Sequence, residues 1–240
     1  MNDNPQDQDL LKLIKQSKRK KRLLNIFSPL IVTFLFLLIT GTLFLNYFNL
    51  GPFTGDKIAG VPDNHLRLVS NDSVFNKLIF NSSTAYQYNY YGNRVELWLE
   101  HYQNGKKIDE IQIGPISSPG SPSENHEIVG SLALGLNNQL LDRESQTLSY
   151  YLEFNGASGS QVLDLKDYGI AENSGIAYSH GIPELPNLQS FYSKNSYKIQ
   201  KDTPYDLLIL RDDGKGYMST KREEQFKDVP NGIAIYLIFK

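Results

Sequence analysis

The sequence predicts a mainly β protein: one N-terminal transmembrane α-helix, then an all-β sandwich- or barrel-like exported domain with one or two short helices. Three observations support this prediction. A long uncharged apolar run lies near the N-terminus. Beyond it, apolar and polar residues alternate with period two over many short stretches, as in half-buried strands. Gly, Asn, Asp and Pro separate those stretches, which is typical of a sandwich or a barrel.

The apolar run is long enough to cross a membrane. No charged residue occurs from Leu23 to Gly55, and the central part, Pro29–Phe48, is 20 residues long. A helix of that length spans a hydrocarbon core of about 30 Å, and its first turn tolerates Pro29. A globular helix of this length with no polar face would be unusual, and a cleavable signal peptide would have a shorter apolar region and a small-residue cleavage site. The sequence therefore favours an uncleaved anchor over both alternatives.

Basic residues flank the predicted span on its N-terminal side, namely Lys18, Arg19, Lys20, Lys21 and Arg22. The positive-inside rule then predicts a single-pass plasma-membrane protein with a cytoplasmic N-terminus and an extracytoplasmic C-terminal domain. The lipid bilayer is the first expected partner. The predicted organisation is a basic cytoplasmic segment, a transmembrane helix, a Gly- and Pro-rich tether and an exported β domain, at residues 1–28, 29–48, 49–62 and 63–240.

Ten stretches are candidate strands: His65–Val69, Lys77–Phe80, Ala85–Tyr91, Arg94–Tyr102, Lys106–Ile113, Ile128–Leu134, Thr147–Phe154, Gln161–Leu165, Tyr205–Leu210 and Ile233–Phe239. Helical signals are few. Thr220 and Glu223 are spaced as a capping box that opens a short helix ending before Pro230, and a second short helix is expected near Leu185–Ser193. The stretch 114–125 is rich in Pro, Ser and Gly, which predicts a loop.

The dipeptide Asn104-Gly105 between two alternating runs predicts a hairpin, with two possible registers. A two-residue turn would place Glu100 opposite Asp109, which brings like charges together. A three-residue loop from Gln103 would instead pair Leu97 with Ile111. We expect the second register, because it sorts the aliphatic residues onto one face of the sheet.

That register places Trp98 and Tyr102 on a face with Glu96, Glu100 and Glu110. On the preceding strand, three tyrosines share one side and two amide residues share the other. Aromatic rings flanked by polar groups suit sugar stacking or a protein contact, although tyrosine is also common inside sheets. The candidate ligand-binding residues are therefore Tyr86, Tyr88, Tyr90, Trp98 and Tyr102.

Composition limits the chemistry. The chain has no cysteine, which excludes disulfides and thiolate sites. Residues 1–27 carry a net charge of +4 and the remainder −6, and an acidic main body argues against a nucleic-acid partner. The four histidines, His65, His101, His126 and His180, are widely separated, and no catalytic, metal-binding or cofactor-binding motif occurs. We expect no cofactor and no enzymatic activity.

Three functions fit these patterns. The leading hypothesis is a membrane-anchored protein of the cell envelope whose exported β domain binds an envelope polymer, a glycan or a membrane protein. The second is a transmembrane signalling regulator, similar in layout to an anti-sigma factor, with a short cytoplasmic docking segment. The third is an exported hydrolase with a site formed by loops within residues 155–204.

Overall fold

The computed structural model describes residues 5–69, 80–114, 125–137, 147–155, 157–170, 196–213 and 222–240. These form a long helix, α1 (Pro5–Tyr47), a four-residue helix, α2 (Arg222–Gln225), and ten strands. The strands are β1 (His65–Val69), β2 (Phe80–Gly92), β3 (Val95–Gln103), β4 (Lys106–Gly114), β5 (His126–Asn137), β6 (Thr147–Phe154), β7 (Ala157–Asp164), β8 (Ser196–Lys198), β9 (Pro204–Arg211) and β10 (Asn231–Phe239). The fold is mainly β with one N-terminal apolar helix, which confirms the coarse prediction.

Helix α1 contains the predicted span. Residues 27–53 form a segment long and apolar enough to cross a membrane, and its most apolar 18-residue stretch is not buried inside the described part of the protein. A signal sequence has the same length and composition, so the structure shows a candidate span and no orientation. The helix begins at Pro5 and not at Pro29, so the predicted boundary at residue 29 is not a helix end. Proline removes only one backbone hydrogen bond there, and the helix continues through it.

The strands form two antiparallel sheets. Sheet A has the order β7-β6-β5-β2-β1-β8, and sheet B has the order β4-β3-β10-β9. Apolar side chains of both sheets meet in one core, which includes Leu66 and Leu132 of sheet A and Leu97 and Ile235 of sheet B. Closure as a sandwich or as a barrel stays a prediction.

Most predicted strands are confirmed to within a few residues, and β1 and β6 match at both ends. Helix α2 lies where the capping-box pattern predicts a helix and ends before Pro230, although Thr220 itself is outside the described residues. Most of the predicted strand Lys77–Phe80, the helix near Leu185–Ser193 and nearly all of the loop 114–125 are also outside them.

The predicted register of the β3–β4 hairpin is wrong. Asn104 and Gly105 both have left-handed backbone angles, with φ of 49° and 75°, and form a two-residue turn. A bulge then shifts the pairing by one residue, so that Glu100 lies opposite Glu110. Lys107 contacts both of these carboxylates, at 3.3 and 3.0 Å, and offsets their mutual repulsion, while Asp109 lies opposite His101 and not opposite Glu100.

The predicted tether, residues 49–62, is packed against the β domain. Asn49 is buried, and its amide donates to the carbonyl of Val61 at 2.8 Å and to Asp63 Oδ1 at 2.9 Å. The N–H of Gly60 donates to the carbonyl of Phe48, next to the end of α1, at 2.8 Å. The end of the helix is therefore part of the folded domain.

Asn89 of β2 holds the same loop from the sheet side. Its Oδ1 accepts from the N–H of Ile58 at 2.9 Å, and its Nδ2 donates to the carbonyls of Ile58 and Val61 at 3.0 and 2.6 Å. Lys57 adds ion pairs with Asp63 and Glu127 at 2.9 and 3.1 Å. Because loop backbone needs such partners when it is buried, these contacts fix the path from α1 into β1.

Candidate functional site

Three of the five predicted ligand-binding residues lie inside the core. Tyr86 and Tyr88 are fully buried, and Tyr90 is 7% exposed. The Tyr86 hydroxyl donates to the carbonyl of Leu207 in sheet B at 3.0 Å, and the rings of Tyr88 and Tyr90 meet Phe239 edge to face. Burial raises the pKa of Tyr86 to about 12. The row of tyrosines joins the two sheets and offers no ring face to an external ligand.

Trp98 and Tyr102 share the outer face of sheet B, as predicted, with two buried carboxylates. Trp98 Nε1 donates to Glu96 Oε2 at 3.0 Å, and the Tyr102 hydroxyl donates to Glu100 Oε2 at 2.6 Å. The ring of Tyr102 also stacks on Phe226 at 4.0 Å between centroids. Trp98 is half-buried and Tyr102 is 4% exposed, so only Trp98 keeps surface that a ligand can reach.

Arg222 of α2 connects this face to the rest of sheet B. Its Nη1 lies 2.9 Å from Glu100 Oε2, and its Nε donates to Asp206 Oδ1 at 2.8 Å. Its guanidinium carbon lies 4.0 Å from the centre of the Tyr236 ring. A guanidinium that satisfies two carboxylates and stacks on a ring is held firmly, so this network fixes α2 against the sheet.

The ionisation of the network fits a structural role. Burial raises the pKa of Asp206, and Arg222 opposes that shift without cancelling it. The Tyr236 hydroxyl and then Lys107 lower the pKa of Glu110 by stabilising its charged form. Perturbed carboxylates occur in active sites and also in structural ion-pair networks. Here the carboxylates contact cations or hydroxyls of the protein itself, which favours the structural role.

A groove of about 630 Å³ crosses the outer face of sheet A beside the loop that follows α1. Its polar lining comes from that loop, β2, β5, β6 and the turn after β6, and consists of Asp56, Gln87, Glu127, Ser131, Glu153 and Asn155. Sequence reasoning did not identify this face. The alternation placed the tyrosines of β2 opposite Gln87 and Asn89, but it did not show which side faces outward.

Hydrogen bonds orient the groove side chains while leaving them accessible. Arg67 donates to Gln87 Oε1 at 2.6 Å, and the N–H of Val129 donates to Asn155 Oδ1 at 3.0 Å. Ser131 Oγ donates to Glu153 Oε2 at 3.2 Å. A carboxylate accepts about four hydrogen bonds, so Glu153 keeps capacity for a ligand. The groove is thus a preformed set of acceptors and hydroxyls.

The charge in the groove is mostly negative. Asp56, Glu127 and Glu153 contribute carboxylates, and the Glu127 side chain is 55% exposed. Lys57, next to Asp56 in the chain, pairs with Glu127; burial alone would lower the pKa of Lys57, but Asp63 and Glu127 outweigh burial and raise it. Such a lining suits a ligand rich in hydroxyl, amide or ammonium donors.

Tyr151 of β6 adds an accessible ring to the same face. It is 41% exposed, and its hydroxyl lies 3.5 Å from Glu153 Oε2. Its neighbour Tyr150 points the other way, into the core, because side chains alternate along a strand. The strand Thr147–Phe154 was predicted correctly from the sequence. Had it also been known that Tyr150 faces inward, the alternation along this strand would have identified Tyr151 as an exposed residue.

The other predicted residues lie apart from the groove. Lys18, Arg19, Lys20 and Lys21 are exposed on α1, and the side chain of Arg22 is outside the described part of the chain. His65 Nδ1 lies 2.8 Å from the carbonyl of Asp63, and His101 Nε2 lies 3.0 Å from that of Tyr168. Among the residues that the structure describes, no group of three or more His, Asp or Glu could hold a metal ion.

The chain matches no protein-family model, and no curated protein and no solved structure is detectably similar to it.

Proposed function

We propose that this chain is a single-pass membrane-anchored protein whose β domain lies outside the cytoplasmic membrane and binds a component of the cell envelope. The groove of sheet A is the binding site, and its ligand is an envelope polymer, a glycan or a protein. The two sheets of the domain close as a sandwich. The single observation that carries this proposal is the groove itself, with its acceptor-rich lining and, on the same face of the sheet, the exposed ring of Tyr151.

The anchor is supported by two features of α1. Its large apolar side chains from Phe27 to Leu45 are between 37% and 65% exposed, so no described part of the protein covers them. Such a surface is costly in water and favourable in lipid. The basic residues that precede the span favour a cytoplasmic N-terminus. The groove then lies near the membrane, because its residues Asp56 and Ile58 follow soon after the helix ends.

The lining narrows the ligand chemistry. Carboxylates, amides and a hydroxyl bind donors in fixed directions, and an exposed tyrosine beside them offers an apolar face to a sugar ring. A neutral or cationic glycan, or a polymer with peptide side chains, matches both properties. A strongly anionic polymer does not, because Asp56, Glu127 and Glu153 would repel it.

The test is co-sedimentation of the full chain, in detergent micelles, with insoluble cell-wall polymer from the source cells. We expect the wild type to sediment with the polymer and Glu153→Gln and Tyr151→Ala to lose most of that binding. Asp109→Asn on the exposed strand β4 is the matched control and should bind as the wild type does. Equal sedimentation of all four proteins, or of none, would contradict the proposal.

A second function, transmembrane regulation, is favoured by one observation. Helix α1 is continuous over 43 residues, about 65 Å, and its end is fixed to the β domain through Phe48 and Asn49. A change in the outer domain would therefore move the whole helix, including its cytoplasmic end. Deleting residues 5–17 should then change transcription at constant protein level, and an unchanged transcript profile would contradict regulation.

A further inference from the structure

Strand β7 is an edge of sheet A among the strands that the structure describes. It pairs with β6 over all eight of its residues without a bulge, and no described strand pairs with its other side. Residues 157–162 are exposed, including Val162 at 62%. A regular edge presents a row of backbone N–H and C=O groups that can pair with another strand.

The other three edges that the structure describes carry protection against such pairing. Strand β4 has four charged residues and two bulges, and strand β8 has only three residues. Strand β9 begins with Pro204 and has a bulge in its pairing with β10. In β7 the first seven residues, Ala157–Leu163, contain no charge and no proline. Charges, prolines and bulges are the usual means of blocking an edge, so their absence from β7 alone marks it as a pairing edge.

The inner side of β7 adjoins an apolar opening of about 420 Å³. Leu152 and Phe154 of β6 line it, together with Ala157 and Gly159 of β7 and Gly114 at the end of β4. A Cβ added to Gly159 would meet no atom within 4 Å, so space is available directly beside the strand. An additional strand next to β7 would direct every second side chain toward this opening.

We propose that β7 binds an extended segment of another protein, which adds as a seventh strand to sheet A and places alternate apolar side chains in the opening. Backbone hydrogen bonds would supply affinity, and the opening would select apolar residues at every second position. A second copy of β7 fits less well, because Leu163 is the only large apolar residue among its four inward residues: Ala157 and Gly159 are small, and Gln161 is polar. This inference goes beyond the groove and uses a different surface.

The main test is photo-cross-linking of the full chain in its own cells. A photoreactive residue replaces Ser158, Ser160 or Val162, which lie two residues apart on the outer side of β7. An added strand predicts a ladder: three cross-links to one other protein, at partner positions that are themselves two residues apart. Cross-links to another part of the same chain or to β7 of a second copy would overturn the proposal. So would cross-links that lack the two-residue spacing, or the absence of cross-links at all three positions.

Substitutions in the opening and in the edge give a second test. Gly159→Leu should fill the opening, leave the free protein folded, and reduce the ladder cross-links at least about tenfold. Proline at Ser160 or at Gln161 is a matched pair, because successive N–H groups of a strand point to opposite sides. The proline that replaces an N–H bonded to β6 should lower the melting temperature by breaking the β6–β7 ladder. The proline that replaces an N–H on the outer edge should leave stability nearly unchanged and abolish the cross-links. If the stable proline variant and Gly159→Leu both keep the ladder, strand addition is wrong.

The two proposed sites are separable. Glu153→Gln should reduce binding to cell-wall polymer and leave the ladder intact, whereas Gly159→Leu should do the reverse. Loss of the ladder in both variants at unchanged folding would contradict the assignment of β7 as an independent surface.

Discussion

The outer faces of the two sheets use their polar side chains differently. On sheet B, Glu100 and Asp206 lie against Arg222, and the side chains of these carboxylates are only 7% and 14% exposed. On sheet A, the side chain of Glu127 is 55% exposed at the edge of a groove. The face of sheet B is denser in aromatic and charged residues, yet its groups contact one another. Accessibility, and not the density of such residues, therefore identifies the face that can bind a ligand.

The largest effect is expected from Arg222→Ala on sheet B. The substitution leaves Glu100 and Asp206 buried without their shared cation, which should lower the free energy of unfolding by about 3–5 kcal/mol. Urea unfolding of the full chain in detergent micelles measures it. Arg222→Lys keeps the charge but not the forked geometry of the guanidinium. Its free energy of unfolding should therefore lie between those of the wild type and Arg222→Ala. A loss below about 1 kcal/mol would show that the network behaves like an exposed ion pair.

Tyr102→Phe should have the next largest effect. It removes the hydrogen bond to the buried Glu100 carboxylate and should cost about 1.5–3 kcal/mol, as hydrogen bonds to charged groups do. Tyr88→Phe is the matched control, because the Tyr88 hydroxyl is buried and has no hydrogen-bond partner among the described residues. That variant should be as stable as the wild type or more so. Equal losses of unfolding free energy in Tyr102→Phe and Tyr88→Phe would show that the hydrogen bond to Glu100 does not stabilise the fold.

Part of this architecture was predictable from local patterns. The alternation in β1 and β6 depends on neighbouring residues alone, so their bounds followed from the sequence. The pairing of β2 with β5 and of β3 with β10 depends on contacts between distant parts of the chain, which no local pattern specifies. The predicted hairpin register was wrong for a related reason, since Lys107 and Tyr236 stabilise a pairing of Glu100 with Glu110 that the alternation did not indicate.

The candidate site was less predictable than the fold. The loop 49–62 has a turn-rich composition, but its order depends on Asn89, which lies 31 residues after Ile58. The groove needs that loop and the outer face of sheet A together. The alternation in β2 assigned tyrosines and amides to opposite sides, and only the packing of the sheets decided that the tyrosines face inward.

Glu153→Gln on sheet A should change stability little. The side chain is exposed, so the free energy of unfolding should stay within about 0.5 kcal/mol of the wild type. Binding to cell-wall polymer should nevertheless fall about tenfold or more, because a charge-assisted acceptor is lost from the groove. Sedimentation titrations and urea unfolding on the same preparations measure both quantities. A large loss of stability with unchanged binding would show that Glu153 supports the fold and does not bind the ligand.

The smallest effect is expected from the junction that borders the groove. Hydrogen bonds from Lys57 and Asn49 outweigh burial and lower the pKa of Asp63 below its usual 3.8. A carboxylate with a lowered pKa stabilises the fold above its unfolded pKa, and this contribution is lost as the pH falls through the folded pKa. The wild type should therefore lose stability below pH 3.8, and Asp63→Asn should lose less over the same range.

The effect should be small because the Asp63 side chain is 58% exposed and therefore screened by solvent. Thermal unfolding from pH 5 to pH 3 provides the measurement. If Asp63→Asn lost more thermal stability than the wild type as the pH falls, the stabilising role of the ionised Asp63 carboxylate would be contradicted.

We propose that the β domain lies outside the membrane and that sheet A carries its binding face. The absence of native cysteine allows a direct measurement with a membrane-impermeant thiol reagent on intact cells. Single cysteines replace Ser131 in the groove or Asp109 on the exposed edge of sheet B. We predict that the Asp109 variant is labelled at once, and that the Ser131 variant is labelled only after the cell wall is digested. Labelling of neither variant in intact cells, or equal labelling of both before digestion, would contradict the account.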